Sequence, residues 1–148
     1  MSRSRRGTAS NTAMDDLMSF AATGNALPVL HEIRHALAEL IESNKTAVID
    51  LGAIPFALGD ERVLDSILGD GEVHAVLKTL GESHVRETSI YGVWRVDHMD
   101  ASGEYQSRFI EVTYLPEILK THFTDAATGL ETLTARLNEE DEKRKQRP

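Results

Sequence analysis

The loudest chemical pattern in the chain is His31-Glu32-Ile33-Arg34-His35, a match to H-E-x-x-H. On a helix, residues i and i+4 share a face, so two imidazoles can hold one Zn²⁺ while the intervening glutamate serves as general base. Three features weigh against that chemistry here. The extension that would supply a third ligand needs Gly and His at 38 and 41, where Ala38 and Ile41 stand. Glu61 is a distant carboxylate without a second zinc-site helix around it, and only a polar stretch precedes the motif. On a helical wheel the two histidines lie about 130–170° from the centre of the apolar stripe, on the water side with Glu39 and Glu42. The expected state is a solvated helix face.

Other patterns carry less. Gly69-Asp70-Gly71 begins like a nucleotide-binding glycine loop, but it follows a helix and enters a strand, and His74 occupies the third glycine position. It reads as a helix stop and turn. His98 to Gly103 has the acids and glycine of a calcium loop, yet the closing bidentate glutamate would fall on Phe109. The stretch is expected to be a hairpin turn. No Ser/His/Asp arrangement is readable from spacing, because triads assemble in space.

Composition narrows the classes further. There is no cysteine among 148 residues, which removes disulfides, thiol nucleophiles, thiolate zinc sites and iron–sulfur ligation. Any metal would need histidine and carboxylate. A net charge of −8 argues against nucleic acid, whose phosphates need a basic face. Arg3, Arg5 and Arg6 at one end and Lys143, Arg144, Lys145 and Arg147 at the other are read as solvated tails. Arg5-Arg6 invites a twin-arginine export signal, but Gly7 to Asp16 is polar and acidic with no apolar core, so export is rejected and a cytoplasmic location expected. No apolar run approaches the ~20 residues of a membrane span.

The elements that must position these residues are legible in outline. Residues 1–25 are rich in Ser, Thr, Arg and Gly and predicted disordered, with a short helical patch at Leu17, Met18 and Phe20. Leu30, Ile33, Leu37, Leu40 and Ile41 recur at helical spacing from Pro28 to Ser43. Thr46 to Leu51 reads as a strand. Asp60 is placed as the cap of a helix carrying Val63, Leu64, Ile67 and Leu68 and ending at Gly69. Glu72 to Leu80 reads as another strand. Val85 to His98 and Tyr105 to Leu115 are read as two long strands of a prominent hairpin, joined through Asp100-Ala101-Ser102-Gly103. On the first, Thr88, Ile90, Trp94 and Val96 are placed on one face and Glu87, Ser89, Arg95 and Asp97 on the other. On the second, Ile110, Val112 and Tyr114 alternate with Phe109, Glu111 and Thr113, and the mixture predicts partial cover on both sides. After Pro116, Leu119 and Phe123 begin a helical region with Leu130, Leu133 and Leu137, and 138–148 is expected to fray. The fold class is α+β: one domain over 26–137, an antiparallel sheet of three to four strands with N- and C-terminal helices packed on it.

Four segments in order carry a resemblance: Leu68-Gly69-Asp70-Gly71-Glu72-Val73, Glu87-Thr88-Ser89-Ile90-Tyr91-Gly92-Val93-Trp94-Arg95-Val96, Phe109-Ile110-Glu111-Val112 and Leu115-Pro116. Together they resemble the C-terminal conserved region of the HupH/HyaF hydrogenase expression (maturation) proteins, over about residues 28–125. The resemblance implies a non-enzymatic chaperone or scaffold that binds an immature subunit of a [NiFe] uptake hydrogenase before export. The small subunit is the favoured client, other maturation factors are further partners, and nickel incorporation is also in view. It implies no cofactor and no catalytic residue. Many relatives are about twice as long, which leaves action alone, as a homodimer or with a second protein open.

Glu87, Tyr91, Trp94, Arg95 and Glu111 are the expected partner-binding residues, an aromatic and charged face on the hairpin. The core is the default place for the single tryptophan, and a half-exposed Trp94 beside Tyr91 and Arg95 would serve as a binding anchor. A metal-dependent hydrolase using His31 and His35 is the competing reading. A nickel carrier using surface histidines such as His74, His84, His98 and His122 is a third.

Overall fold

The computed structural model describes residues 23–148 apart from Thr79. The predicted tail and the patch at Leu17, Met18 and Phe20 fall outside the described residues, apart from the last few positions of the tail. The chain divides after Tyr114 into two units. In the first, the order is α1 (Ala26–Ser43), β1 (Ala47–Asp50), α2 (Leu58–Leu68), β2 (His74–Lys78), β3 (Glu82–Glu87), β4 (Val93–Met99) and β5 (Tyr105–Val112). The sheet has five antiparallel strands in the order β1-β5-β4-β3-β2. The fold is α+β as expected, with a larger sheet than three or four strands.

The extra strand arises where one long strand was expected. Val85 to His98 is broken at Thr88–Gly92, so that β3 and β4 pair as a hairpin of their own. Gly92 sits at φ +90°, and a Cβ there would come 3.0 Å from Leu37 of α1, so glycine is needed both for the backbone and for the approach. Thr88 Oγ1 donates towards the carbonyls of Val93 (2.8 Å) and Ile90 (3.1 Å), tying the turn internally. The break also corrects the faces. Glu87 pairs with Trp94, and Trp94 with Glu111, so all three share one face, while Arg95 and Asp97 lie on the other. The expected β4–β5 hairpin forms as read. Its turn is held by Asp100 Oδ1, which accepts from Ser102 N, Ser102 Oγ and Glu104 N.

α1 buries Ala26, Val29, Ile33, Ala36 and Leu40, a 3–4 spacing that keeps one stripe against the sheet. It ends at Asn44, in the left-handed region at φ 57°, with Asn44 N bonded to Leu40 O. α2 adds Leu64 and Leu68, and the two helices close over Ile49, Val93, Ile110 and Val112. The opposite sheet face also holds buried residues: Val85, Trp94 and Val96. Apolar residues are therefore buried on both faces, in line with the mixed alternation.

Asp60 is the third residue of α2 rather than its cap, and it is buried. Its carboxylate reaches back to Ala57 N and also accepts from Thr23 N, Thr23 Oγ1 and Gly24 N, fastening the chain ahead of α1 to the start of α2. Burial pushes its pKa up, but these donors outweigh it and hold the carboxyl down at about 2.

In the second unit, a short 3-10 turn (Glu117–Leu119) precedes α3 (Phe123–Lys145). The helix runs past Asn138, where fraying was expected. Glu139 to Lys145 are good helix formers apart from Asp141, and Lys143, Arg144 and Lys145 favour the negative helix end. No residue of α3 is buried, Leu130, Leu133 and Leu137 included.

Candidate functional site: an apolar groove beside α1 and α2

Two walls and a stop make the groove. Leu27, Leu30 and Leu37 of α1 form one wall, Ile67 and Leu68 of α2 the other, and Ile90 of the Thr88–Gly92 turn closes one end. The volume is about 310 Å³. Among the described residues, the polar side chains that line it are His31 and Arg34. Leu27 is 56% exposed, Ile67 49% and Ile90 38%. Neither helix needs these side chains for the sheet, because each already buries a different stripe.

The groove has fixed walls because the turn is anchored to the end of α2. Ser89 N and Ser89 Oγ both donate to Leu68 O, at 2.9 and 2.6 Å, consuming a carbonyl that the helix end would leave free. Gly71 N donates to Glu87 O, and Glu87 N to Val73 O. A Cβ on Gly71 would lie 2.6 Å from Thr88 O, a backbone clash that only glycine avoids. The first two segments of the resemblance thus meet in space and build this corner.

α2 is set on the sheet by charge as well as by leucines. Glu61 and Asp65, one helical turn apart, reach Arg108 and Arg95. Asp97, 2% exposed, lies between Arg108 Nε at 3.4 Å and Arg86 at 3.6 Å. Desolvation lowers the Arg108 pKa, but Glu61 and Asp97 more than reverse this and the net shift is upward. Arg95 is buried more deeply than Arg108, at 6% exposed, and among the described residues its Nε has no hydrogen-bond partner.

The five residues expected to form one docking face are placed apart. Trp94 is 6% exposed, with Nε1 donating to Thr113 O at 3.1 Å. It lies between Glu87 and Glu111, both partly buried, on the face away from α1 and α2. Arg95 is on the opposite face against Asp65. Tyr91, 77% exposed, stands in the turn beside Ile90. Of the five, it alone is an open aromatic, and it neighbours the groove. Sequence reasoning did not find the groove, although exposed Leu27, Ile67 and Ile90 are apolar positions beyond what each helix stripe requires.

His31 and His35 are both exposed on α1, and His35 Nε2 lies 3.6 Å from Glu39. Among the described residues, no group of three or more His, Asp or Glu side chains is placed to hold a metal. Among them too, no helix is long and apolar enough to cross a membrane.

Residues 23–139 match the family described as HupH hydrogenase expression protein, C-terminal conserved region. The chain belongs to this HupH family. It is 32% identical over 108 residues to the hydrogenase expression/formation protein HupQ of Azotobacter chroococcum mcd 1, covering 72% of this chain and 36% of that protein. It is 30% identical over 99 residues to the hydrogenase expression/formation protein HoxQ of Azotobacter vinelandii, covering 64% and 34%. The chain thus spans about a third of the curated relatives it matches. The structure resembles the hydrogenase expression protein HupH from Thiobacillus denitrificans ATCC 25259, with a TM-score of 0.76 and 39% identity over 80% of this chain and 99% of that one.

Proposed function

We propose that this chain assists hydrogenase maturation by holding an immature hydrogenase subunit, with the α1–α2 groove and Tyr91 as its docking surface. The observation that carries the reading is the groove itself: fixed apolar walls, open to solvent, with Leu27, Ile67 and Ile90 half in water. Such a surface suits the apolar side of a helical or extended client segment. The small subunit before export is the favoured client, met in the cytoplasm, with other maturation factors as further partners. Trp94 and Arg95 serve this surface from behind, as residues that set β4 and α2, so changing them tests the fold before it tests docking.

A strain lacking the gene is expected to accumulate unprocessed hydrogenase subunit and lose uptake activity. Complementation with the wild-type chain restores activity, and complementation with an Ile67→Glu/Ile90→Glu chain does not. Full hydrogenase activity without the gene would refute the role, and full rescue by the groove variant would refute the surface.

A further inference from the structure

β2 and β3 form a hairpin in which His74 faces Arg86 and Val76 faces His84. Both imidazoles therefore leave the same side of the sheet, one diagonal step apart. His74 Nε2 lies 3.2 Å from His84 Nδ1, and the ring centroids are 5.4 Å apart. The far nitrogen of His84, Nε2, is 3.0 Å from Glu82 Oε2. A carboxylate accepts, so His84 Nε2 carries the hydrogen and Nδ1 offers its lone pair towards His74.

Two imidazole nitrogens bound at about 2.0–2.1 Å to one cation stand roughly 2.8–3.4 Å apart between octahedral and tetrahedral angles. The 3.2 Å separation found here lies within that span. A carboxylate behind a ligating histidine is also the usual means of fixing its tautomer and raising its basicity. We propose that His74 and His84 form a two-histidine site for a divalent transition cation of the Ni²⁺, Cu²⁺ or Zn²⁺ class, with Glu82 orienting His84. Imidazole donors select that class over Mg²⁺ or Ca²⁺.

Binding replaces the hydrogen shared by the two rings. His74 moves that hydrogen from Nε2 to Nδ1 and stays neutral, so both donors meet the cation as lone pairs. Arg86 on the same face is drawn towards Asp97 at 3.6 Å. With two protein donors, the remaining coordination positions go to water or to a donor from another molecule, which makes the site weak and readily exchanged. His74 is exposed and His84 half-buried on β2 and β3, and neither lines the groove, so cation binding and client docking are tested by different variants.

Titration of the full chain with NiCl₂ and ZnCl₂, followed by calorimetry and by the ¹⁵N shifts of the histidine rings, tests the site. One saturable site is expected, with the His74 and His84 ring nitrogens shifting together. His74→Ala and Glu82→Gln should each weaken binding about tenfold or more, while His31→Ala/His35→Ala binds as wild type. His74 is exposed on an edge strand, so its alanine variant keeps the fold, and circular dichroism checks this. Unchanged affinity in His74→Ala, loss confined to the His31/His35 variant, or no saturable binding at millimolar cation would each overturn the proposal and leave the two rings as a hydrogen-bonded pair.

Discussion

The two flanks of α2 do different work. On one, Leu64 and Leu68 sink into the core with Val93, Ile110 and Val112. On the other, Glu61 and Asp65 engage Arg108 and Arg95 around the buried Asp97. Leucines supply most of the free energy of burial, but they tolerate sliding, because one apolar contact resembles the next. Ion pairs under partial cover add little net energy, since desolvation offsets attraction, yet they favour one placement. The difference explains how the α1–α2 groove keeps its shape although Leu27, Ile67 and Ile90 of its lining stay exposed. Burial binds the helix to the sheet, and charge sets its position.

Breaking the charged flank at its centre should cost most. Asp97→Ala leaves Arg86 and Arg108 without their shared buried partner, and a loss of about 3–5 kcal/mol is expected in urea unfolding. On the apolar flank, Leu64→Ala should cost about 2–5 kcal/mol in the same assay. A cost for Asp97→Ala below 1 kcal/mol would remove the positioning role given to the charges. A smaller effect sharpens the contrast. Asp65→Ala strands the buried Arg95 and should cost about 1–3 kcal/mol, whereas adding Arg95→Met should recover most of that loss, a coupling that a double-mutant cycle reads directly.

The acid limb of stability offers a further handle. Asp60 is held at about 2, below the ordinary 3.8 of a free aspartate. Its contribution is therefore complete above about pH 4 and is lost as pH falls through 2. Asp60→Asn should unfold at lower urea concentration at neutral pH and show a shallower fall in midpoint between pH 4 and pH 2. An unchanged acid slope would mean that the clamp on Thr23 and Gly24 is not formed in solution.

Much of this architecture was legible in the residues, and the failures have physical causes. The helical stripe of α1 and the β4–β5 hairpin follow directly from spacing and from turn residues. The strand break at Thr88–Gly92 was hidden because Ile90 and Tyr91 continue a β-like composition; in the structure the turn is held by the Thr88 hydroxyl on the Val93 and Ile90 carbonyls and by Gly92 at φ +90°. Glu61 was weighed only as a distant metal carboxylate, Asp97 only placed on a strand face and Asp65 not singled out, since pairing across elements is invisible before the sheet is assembled. Trp94 and Arg95 sit next to each other in sequence, and strand alternation sends them to opposite faces. The groove was missed because Leu30, Leu37, Ile67 and Leu68 were read as core-facing stripes, and only the assembled helices show that they also line an open groove with Leu27 and Ile90.

Exposed groove residues should contribute least to folding. Ile67→Glu/Ile90→Glu is expected to stay within about 0.5 kcal/mol of wild-type stability per site. The most direct test of the account is therefore the affinity of this folded double variant for a purified hydrogenase small-subunit precursor, measured beside the wild-type chain. The account predicts tight capture by the wild type and at least about a tenfold loss in the variant, equivalent to 1.4 kcal/mol of binding free energy. Equal capture by the two proteins, with both folded, would contradict it.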